Sequence, residues 1–465
     1  MAAGGNVLLA PLYLRLLNPQ DFGLWSKFML MLQLAQVPMG WGLMAAVSRL
    51  IAEAEAPERQ ARLLGAAVTM ATVLNGVLLV LTLALWAWPT QAPSRWPGAD
   101  WALLLPAVLG AALLVYPAIL LGKLVADGAA VRHRSLSLVG FALQLTILLA
   151  AAALGYRSAG GAVAAMVVAL GCFAMFAAIQ LRRAAAWHTE RTDLRALLAF
   201  GLPIVVYTLA GQATDFAIRY CLSRQVTTAE FGAFSAGLIY ASVVAMLCSA
   251  VNLAWMPLFY RHAHHWYAQG TYRAFVDLFI AATAGVAALM VVFAPELLAL
   301  YAGGRVILST STAALLTIAA WLNSAVWMAV SNPLFEQKRT RTVLLLALAA
   351  ALPSMALGFM LIRDHGGRGA AGALLANALL LATLARWVAG RLRLPGPSLV
   401  PSATALGLLL LVASPWCQQR MAALHGVTGV LYKLLAVLSI FAVLATITLR
   451  DGLKAFKTIE SSHSR

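Results

Sequence analysis

Charge is scarce in this chain. Of 465 residues only 11% are Asp, Glu, Lys or Arg, against 62% apolar, and the mean hydropathy is +0.85. A water-soluble protein of this length needs a far more charged surface, so a soluble globular fold is excluded. Alternating ten-residue segments are also missing; the apolar runs are continuous and near 20 residues, which argues against a membrane β-barrel. Cysteine is limited to Cys172, Cys221, Cys248 and Cys417, with no CxxC pair. Three of the four fall in apolar runs and read as packing residues, not disulfides or metal ligands. No Walker A sequence is present, so no ATPase is built in. The loops are mostly short, the longest on the side opposite the amino terminus being 89–100, and they carry no Ser/His/Asp or paired-carboxylate pattern. An enzyme is therefore not expected. His262, His264 and His265 in "RHAHHW" lack a companion carboxylate or cysteine set, so no metal or other cofactor is expected. The first residues lack a basic n-region and a small-residue cleavage site.

What is present is a series of apolar runs. Fourteen span candidates lie at about 5–17, 22–52, 63–88, 101–126, 135–155, 160–181, 198–222, 231–259, 273–301, 307–331, 341–362, 368–390, 399–416 and 426–449. Most are long enough to cross a hydrocarbon layer of roughly 30 Å. The expected fold class is thus an all-α polytopic membrane protein. With the amino terminus taken as cytoplasmic, nineteen lysines and arginines fall on the cytoplasmic segments, counting Arg273 with the connection it borders. Seven fall on the opposite loops and seven within or at the ends of spans. This positive-inside bias predicts that both termini are cytoplasmic. It also accounts for most of the net charge of +17, which removes the main argument for nucleic acid as a partner.

The chain repeats itself. "QDFGLWS" (20–26) matches "AEFGAFS" (229–235) at an offset of 209. The same offset pairs Arg15 with Arg224, Asp127 with Glu336, and Arg132 with Arg341. It also pairs Gly160, Ala162 and Ala164 with Gly369, Ala371 and Ala373. The expected organisation is an N-lobe of spans 1–6 (1–181), a cytoplasmic linker (182–197) and a C-lobe of spans 7–12 (198–390). Two extra spans (399–449) and a cytoplasmic tail (450–465) follow. Parallel repeats of this kind are a transporter architecture, with the substrate path between the halves. At the repeat offset the first span lacks about eleven residues that span 7 has. Either the first helix is short or the start lies upstream.

Span 7, "LLAFGLPIVVYTLAGQATDFAIRYCL", carries Thr208, Gln212, Asp215 and Arg219 at helical spacing, one polar stripe. Asp215 and Arg219 are four residues apart and can pair. Charges inside a span are costly unless paired or facing water, so the stripe is either a structural pair against a neighbouring helix or the lining of a central cavity. Span 2 carries Ser26, Gln33 and Gly40 on one face, with Lys27 a residue off that line. Arg49 stands at a span end, where a flanking arginine is the default. Lys123 and Asp127 look like a boundary pair, and Lys433 is one of few charges in the last span. Prolines 38, 106, 117, 203, 257, 333 and 353 fall in or beside spans and are kink or hinge candidates.

These residues resemble a known family. "PLYLRLLNPQDFGLWS", "FGLPIVVYTLAGQATDFAIRYCL" with "AEFGAFSAGLIYASV", "NLAWMPLFYR" (252–261) and "HGGRGAAGALLAN" (365–377) are similar to bacterial polysaccharide-biosynthesis flippases. These belong to the multidrug/oligosaccharidyl-lipid/polysaccharide exporter superfamily. The resemblance implies two six-helix lobes and flipping of undecaprenyl-pyrophosphate-linked oligosaccharide across the inner membrane for surface polysaccharide or exopolysaccharide synthesis. It implies partners in membrane lipid, a polysaccharide polymerase and export machinery. By matching position, Arg219, Arg15, Lys27 and Arg49 become the cations of a substrate cavity, with Asp215 and Gln212 as a coupling or polar stripe. Arginine suits a pyrophosphate because it can bind it in bidentate fashion. The coupling ion stays open between a proton, sodium and the membrane potential alone. A lipid II flippase shares this plan, and a multidrug or cation antiporter is a further alternative.

Overall fold

The computed structural model describes residues 3–54, 56–87, 101–187, 190–268, 270–303, 309–337, 339–422 and 426–463. Loop 89–100 and the side chains of His262 and His264 lie outside the described residues. Every element among those described is helical. Among the described residues, eleven helices are long and apolar enough to cross a membrane. The fourteen expected runs are recovered only when three further features are counted. The 52-residue helix Thr340–Arg391 is two helices meeting at Gly366 (φ 51°). Leu399–Ala413 with Pro415–Met421 is a pair bent by 61°, and the first helix is a shorter apolar one, Val7–Leu16.

By internal contact the chain forms two compact units. One comprises Met1–Gly5 and Leu16–Gln212, the other Asn6–Arg15 and Ala213–Arg465. The connection 182–197 lies within the first unit. That connection is fastened to the first unit: Ala186 N–H donates to Ala61 O (2.9 Å), and Arg62 lies 3.4 Å from Glu190 and 3.6 Å from Asp193. The helices of the two extra spans pack within the second unit.

Helix α1 (Ala3–Leu16) opens the chain, and residues 6–15 of it belong to the second unit. The first unit continues with α2 (Pro19–Gly40), α3 (Leu43–Glu53), α4 (Pro57–Ala87), α5 (Trp101–Ala126), α6 (Ala130–Ala153) and α7 (Ala159–Ala184). It ends within α8 (Arg191–Gln225). The run expected as one span at 22–52 is one span, Pro19–Glu53, made of two helices: α2 runs through Pro38 to Gly40, and Trp41 (φ 49°) and Gly42 (φ 64°) turn the backbone through the left-handed region before α3. Helix α5 is the hub here, packing on α2, α3, α4 and α7. Its approach to α3 depends on Gly122, where a Cβ would stand 2.6 Å from Met44 O. Small residues that let helix backbones meet are how helices associate in lipid.

The second unit continues with α9 (Thr228–Ala268), α10 (Thr271–Val292), α11 (Ala294–Ala302), α12 (Thr310–Trp321), a π-turn (Leu322–Val326) and α13 (Trp327–Glu336). It closes with α14 (Thr340–Arg391), α15 (Leu399–Ala413), α16 (Pro415–Ala422) and α17 (Gly426–His463). Here α10 is the hub, against α9, α12, α15 and α17. A buried aromatic group of Trp255, Phe259, Trp266 and Tyr272 joins the end of α9 to the start of α10. The hydroxyl of Tyr272 donates to Ala329 O and that of Tyr240 to Met290 O, so neither buried tyrosine leaves its polar end unmet. Large apolar side chains such as Val80, Leu253, Met360 and Leu438 are exposed, as lipid-facing positions are.

The repeat is visible atom by atom. Asn18 caps α2 by accepting from Asp21 N–H (2.7 Å); at the same offset of 209, Thr227 caps α9 by accepting from Glu230 N–H (3.2 Å). Buried Ser26 donates to Phe22 O (2.8 Å), and buried Ser235 donates to Phe231 O (2.9 Å). Asp21 also accepts from Ala159 N–H (3.0 Å) at the start of α7. Its match Glu230 sits at the start of the later helix of its own unit: a Cβ on Gly366 would stand 2.7 Å from Glu230 Oε1. Each acid thus lies at a helix amino terminus, where backbone N–H groups favour negative charge.

Candidate functional site

Helix α8 is helical through its polar stripe because Leu, Ala, Gln and Arg hold the helix well and Pro203 comes two turns or more before the charged pair. Arg219 Nη1 donates to Asp215 Oδ2 at 3.0 Å. The two ends of the pair differ: the Arg219 side chain is 11% exposed, that of Asp215 46%. The guanidinium is thus withdrawn and the carboxylate is presented. Thr208 returns its hydroxyl to Ile204 O (2.8 Å) and is satisfied locally, whereas Gln212 is exposed.

Of the other predicted cations, Arg49 is exposed, pairs with Glu53 (2.8 Å) and lies 5.0 Å over the ring of Phe200. Lys27 is half-buried on α2, beside buried Ser26. Gln33 on the same helix is exposed. Arg15 donates to Leu300 O at 3.0 Å, on the last turn of α11. Lys27 and Arg49 lie in the first unit, Arg15 and Arg219 in the second. The structure brings Arg219 and Asp215 together and seats Arg15 and Arg49 on neighbours of their own. Lys123 and Asp127 are paired, as their spacing predicts.

Sequence reasoning missed several buried polar contacts of the second unit. Lys433 of α17, one of few charges in the last span, is buried and donates to Glu296 of α11. Asp277 of α10 accepts from Ser398 N–H (2.7 Å) at the amino terminus of α15. Gln418 donates to Val291 O and Val412 O, and Asn332 donates to Asn252 Oδ1 at 2.8 Å. The available signal was Glu296 and Lys433, each in an apolar run without an opposite charge within four residues.

A bundle of apolar helices carrying matched repeats and paired in-span charges defines a multi-pass membrane transporter fold. Solved structures agree. The chain is similar to the lipid II flippase MurJ in an inward closed conformation, with TM-score 0.74 at 11% identity over 96% of this chain and 97% of that one. It is similar to an inward-facing multidrug-resistance MATE transporter of the MOP superfamily, with TM-score 0.63 at 17% identity over 89% and 96%. A third likeness is to a MOP superfamily transporter from Pyrococcus furiosus Vc1, with TM-score 0.52 at 17% identity over 84% and 92%. These likenesses concern the fold, and the proteins concerned are transporters and flippases rather than enzymes. No curated protein sequence matches the chain. The family model for polysaccharide biosynthesis protein matches residues 5–262, and the chain belongs to that family.

Proposed function

We propose that this protein flips a polyprenyl-pyrophosphate-linked oligosaccharide across the bacterial inner membrane by alternating access of two lobes, for surface or exopolysaccharide assembly. The family match is the observation that carries it. The charge balance agrees: with the boundary residues Arg273, Arg341 and Arg368 counted with their loops, the expected spans hold seven cations against three carboxylates, Asp215, Asp277 and Glu296. That surplus suits an anionic head group, which cannot cross hydrocarbon alone, and it disfavours a cavity for cationic drugs. The polyprenyl tail stays in lipid while the head group crosses. Arg219, withdrawn on α8 beside a more exposed carboxylate, is the favoured pyrophosphate contact, with Lys27 and Arg49 as further candidates. Both termini face the cytoplasm in this reading, and a polysaccharide polymerase would take the product on the other side. The likeness to MurJ favours lipid II as the second reading, because the same cations would serve its pyrophosphate.

The test is export in a strain whose own gene is deleted. Arg219→Ala should insert at the normal level and abolish surface polysaccharide, with lipid-linked oligosaccharide accumulating. Arg219→Lys should restore a fraction, since lysine keeps the charge and loses the bidentate fork. Normal export by Arg219→Ala would remove the cavity role. Complementation of a lipid II flippase mutant instead would favour the second reading.

A further inference from the structure

One residue of the first unit is held in a backbone conformation that its side chain disfavours. Trp41 caps the end of α2 with φ 49° and ψ 18°, in the left-handed region. Gly42 beside it takes that region freely, having no Cβ. A bulky residue there is strained, and such strain survives only where the surroundings impose it; it gathers at functional sites. Here the surroundings are close. Trp41 Nε1 donates to Asn75 Oδ1 of α4 at 3.3 Å. The backbone of α8 also reaches the turn. A Cβ on Gly201 would stand 2.3 Å from Trp41 O, and one on Gly42 would stand 2.5 Å from Gly201 O. Trp41 itself is only half-buried.

The neighbours of this indole are polar and uncharged. Asn75 is 5% exposed, and its Nδ2 has no partner among the described residues. An unmet buried donor is costly, so packing alone would favour an apolar residue at that position. Three residues earlier, on the same face of α4, Thr72 is exposed. Its hydroxyl donates to Val68 O (2.8 Å), so Tyr116 of α5 is the donor in the 3.1 Å contact between the two hydroxyls. Acceptor lone pairs remain on the Tyr116 oxygen. The group lies deep in the bundle. Trp41 stands twelve residues before Glu53, about 18 Å along the axis, and Tyr116 ten before Ala126, about 15 Å. Trp and Tyr of membrane helices ordinarily mark the interfaces, and that role does not account for rings at this depth.

An indole beside neutral hydroxyls has the chemistry that recognises a sugar. The ring packs on the apolar C–H face of a pyranose, and the hydroxyls answer the sugar's own. The group carries no charge with which to hold a pyrophosphate. We infer that Trp41 contacts a sugar of the lipid-linked substrate, in a neutral subsite of the first unit shared with Thr72 and Tyr116, and that Asn75 positions its ring. The subsite rests on the flippase reading.

Binding in nanodiscs, read by native mass spectrometry, tests it with two ligands. One is undecaprenyl pyrophosphate, and the other is the lipid-linked oligosaccharide extracted from a strain lacking this protein's gene. The wild type should prefer the sugar-bearing lipid about tenfold, the scale of one aromatic anchor. Trp41→Gly removes the ring from a backbone that glycine adopts freely. It should lose the preference and keep its affinity for the bare lipid. Trp41→Phe keeps a ring and should retain most of the preference. Asn75→Leu and Tyr116→Phe should each lower it about threefold, the scale of one hydrogen bond, again with the bare lipid unaffected. If neither variant changes it, Asn75 does not position the ring and Tyr116 has no part in the subsite. A Trp41→Gly protein with the wild-type preference overturns the subsite; so does one that loses both lipids alike, which would make the ring a packing element. Should Trp41→Gly fail to fold, Trp41→Leu keeps apolar bulk and should show the same loss, while an unchanged preference would again overturn the subsite. A wild type that binds both lipids equally overturns the subsite and leaves the flippase reading standing. One that binds neither defeats both.

Discussion

Asp215–Arg219 and Glu296–Lys433 are both acid–base pairs among apolar helices of the second unit, each with a withdrawn cation and a half-exposed acid, yet they differ in reach. The first is made by one helix within a single turn, at 3.0 Å. The second joins two helices across 137 residues. A local pair forms wherever its helix forms and contributes little to the choice of fold. A long-range pair exists only when the fold brings α11 to α17, so its loss is felt by the whole packing arrangement. The local pair can therefore change partners during transport at small cost.

The largest effect should come from breaking the buried pair on one side. Glu296→Gln leaves the buried Lys433 without its counter-ion and should destabilise the protein by about 3 kcal/mol, as removal of one partner of a buried charge does. The melting temperature in detergent reports it. The double change Lys433→Met with Glu296→Gln should recover most of the loss, and an unaltered midpoint in the single variant would show that the pair does not hold α17. Next in size is Gly285→Ala on α10, where the new Cβ would meet the Phe441 ring at 2.2 Å. Overpacking of this kind costs about 1–3 kcal/mol, and Phe441→Leu should relieve it. Asp21→Ala is intermediate between local and long-range, since Asp21 bonds both Asn18 and Ala159. A loss of about 1 kcal/mol is expected, the usual scale of a helix cap, and Glu230→Ala should match it if the repeat is energetic as well as geometric.

The smallest stability effect should belong to the local pair. Asp215→Asn keeps a hydrogen-bond acceptor for Arg219 and should shift stability by less than about 0.5 kcal/mol. Its consequence should appear in transport instead. Flipping measured against pH and membrane potential should lose part of its dependence if Asp215 couples to an ion; an unchanged dependence would rule the residue out as the coupling site.

The repeat was legible because it is written in short local signals. Asn18 with Asp21 and Thr227 with Glu230 are capping patterns a few residues wide, and the two serines answer the two phenylalanines four residues earlier. The pairs Asp215–Arg219 and Lys123–Asp127 were legible for the same reason, since a helix places residues four apart on one face. Arg15 was visible as an arginine in an apolar run, but its partner is a backbone carbonyl 285 residues away, and a carbonyl has no side-chain signature. The assignment of α1 to the second unit follows from that contact and could not be read from the order of spans.

Composition and periodicity by themselves determined that this chain is a membrane bundle of repeated halves, because hydropathy, helix spacing and capping act over a turn or two. Only the tertiary structure decided where Lys433, Arg15 and the connection 182–197 belong. Each makes its bond to a group distant in sequence, and such a bond has no energy until packing has brought the two groups together.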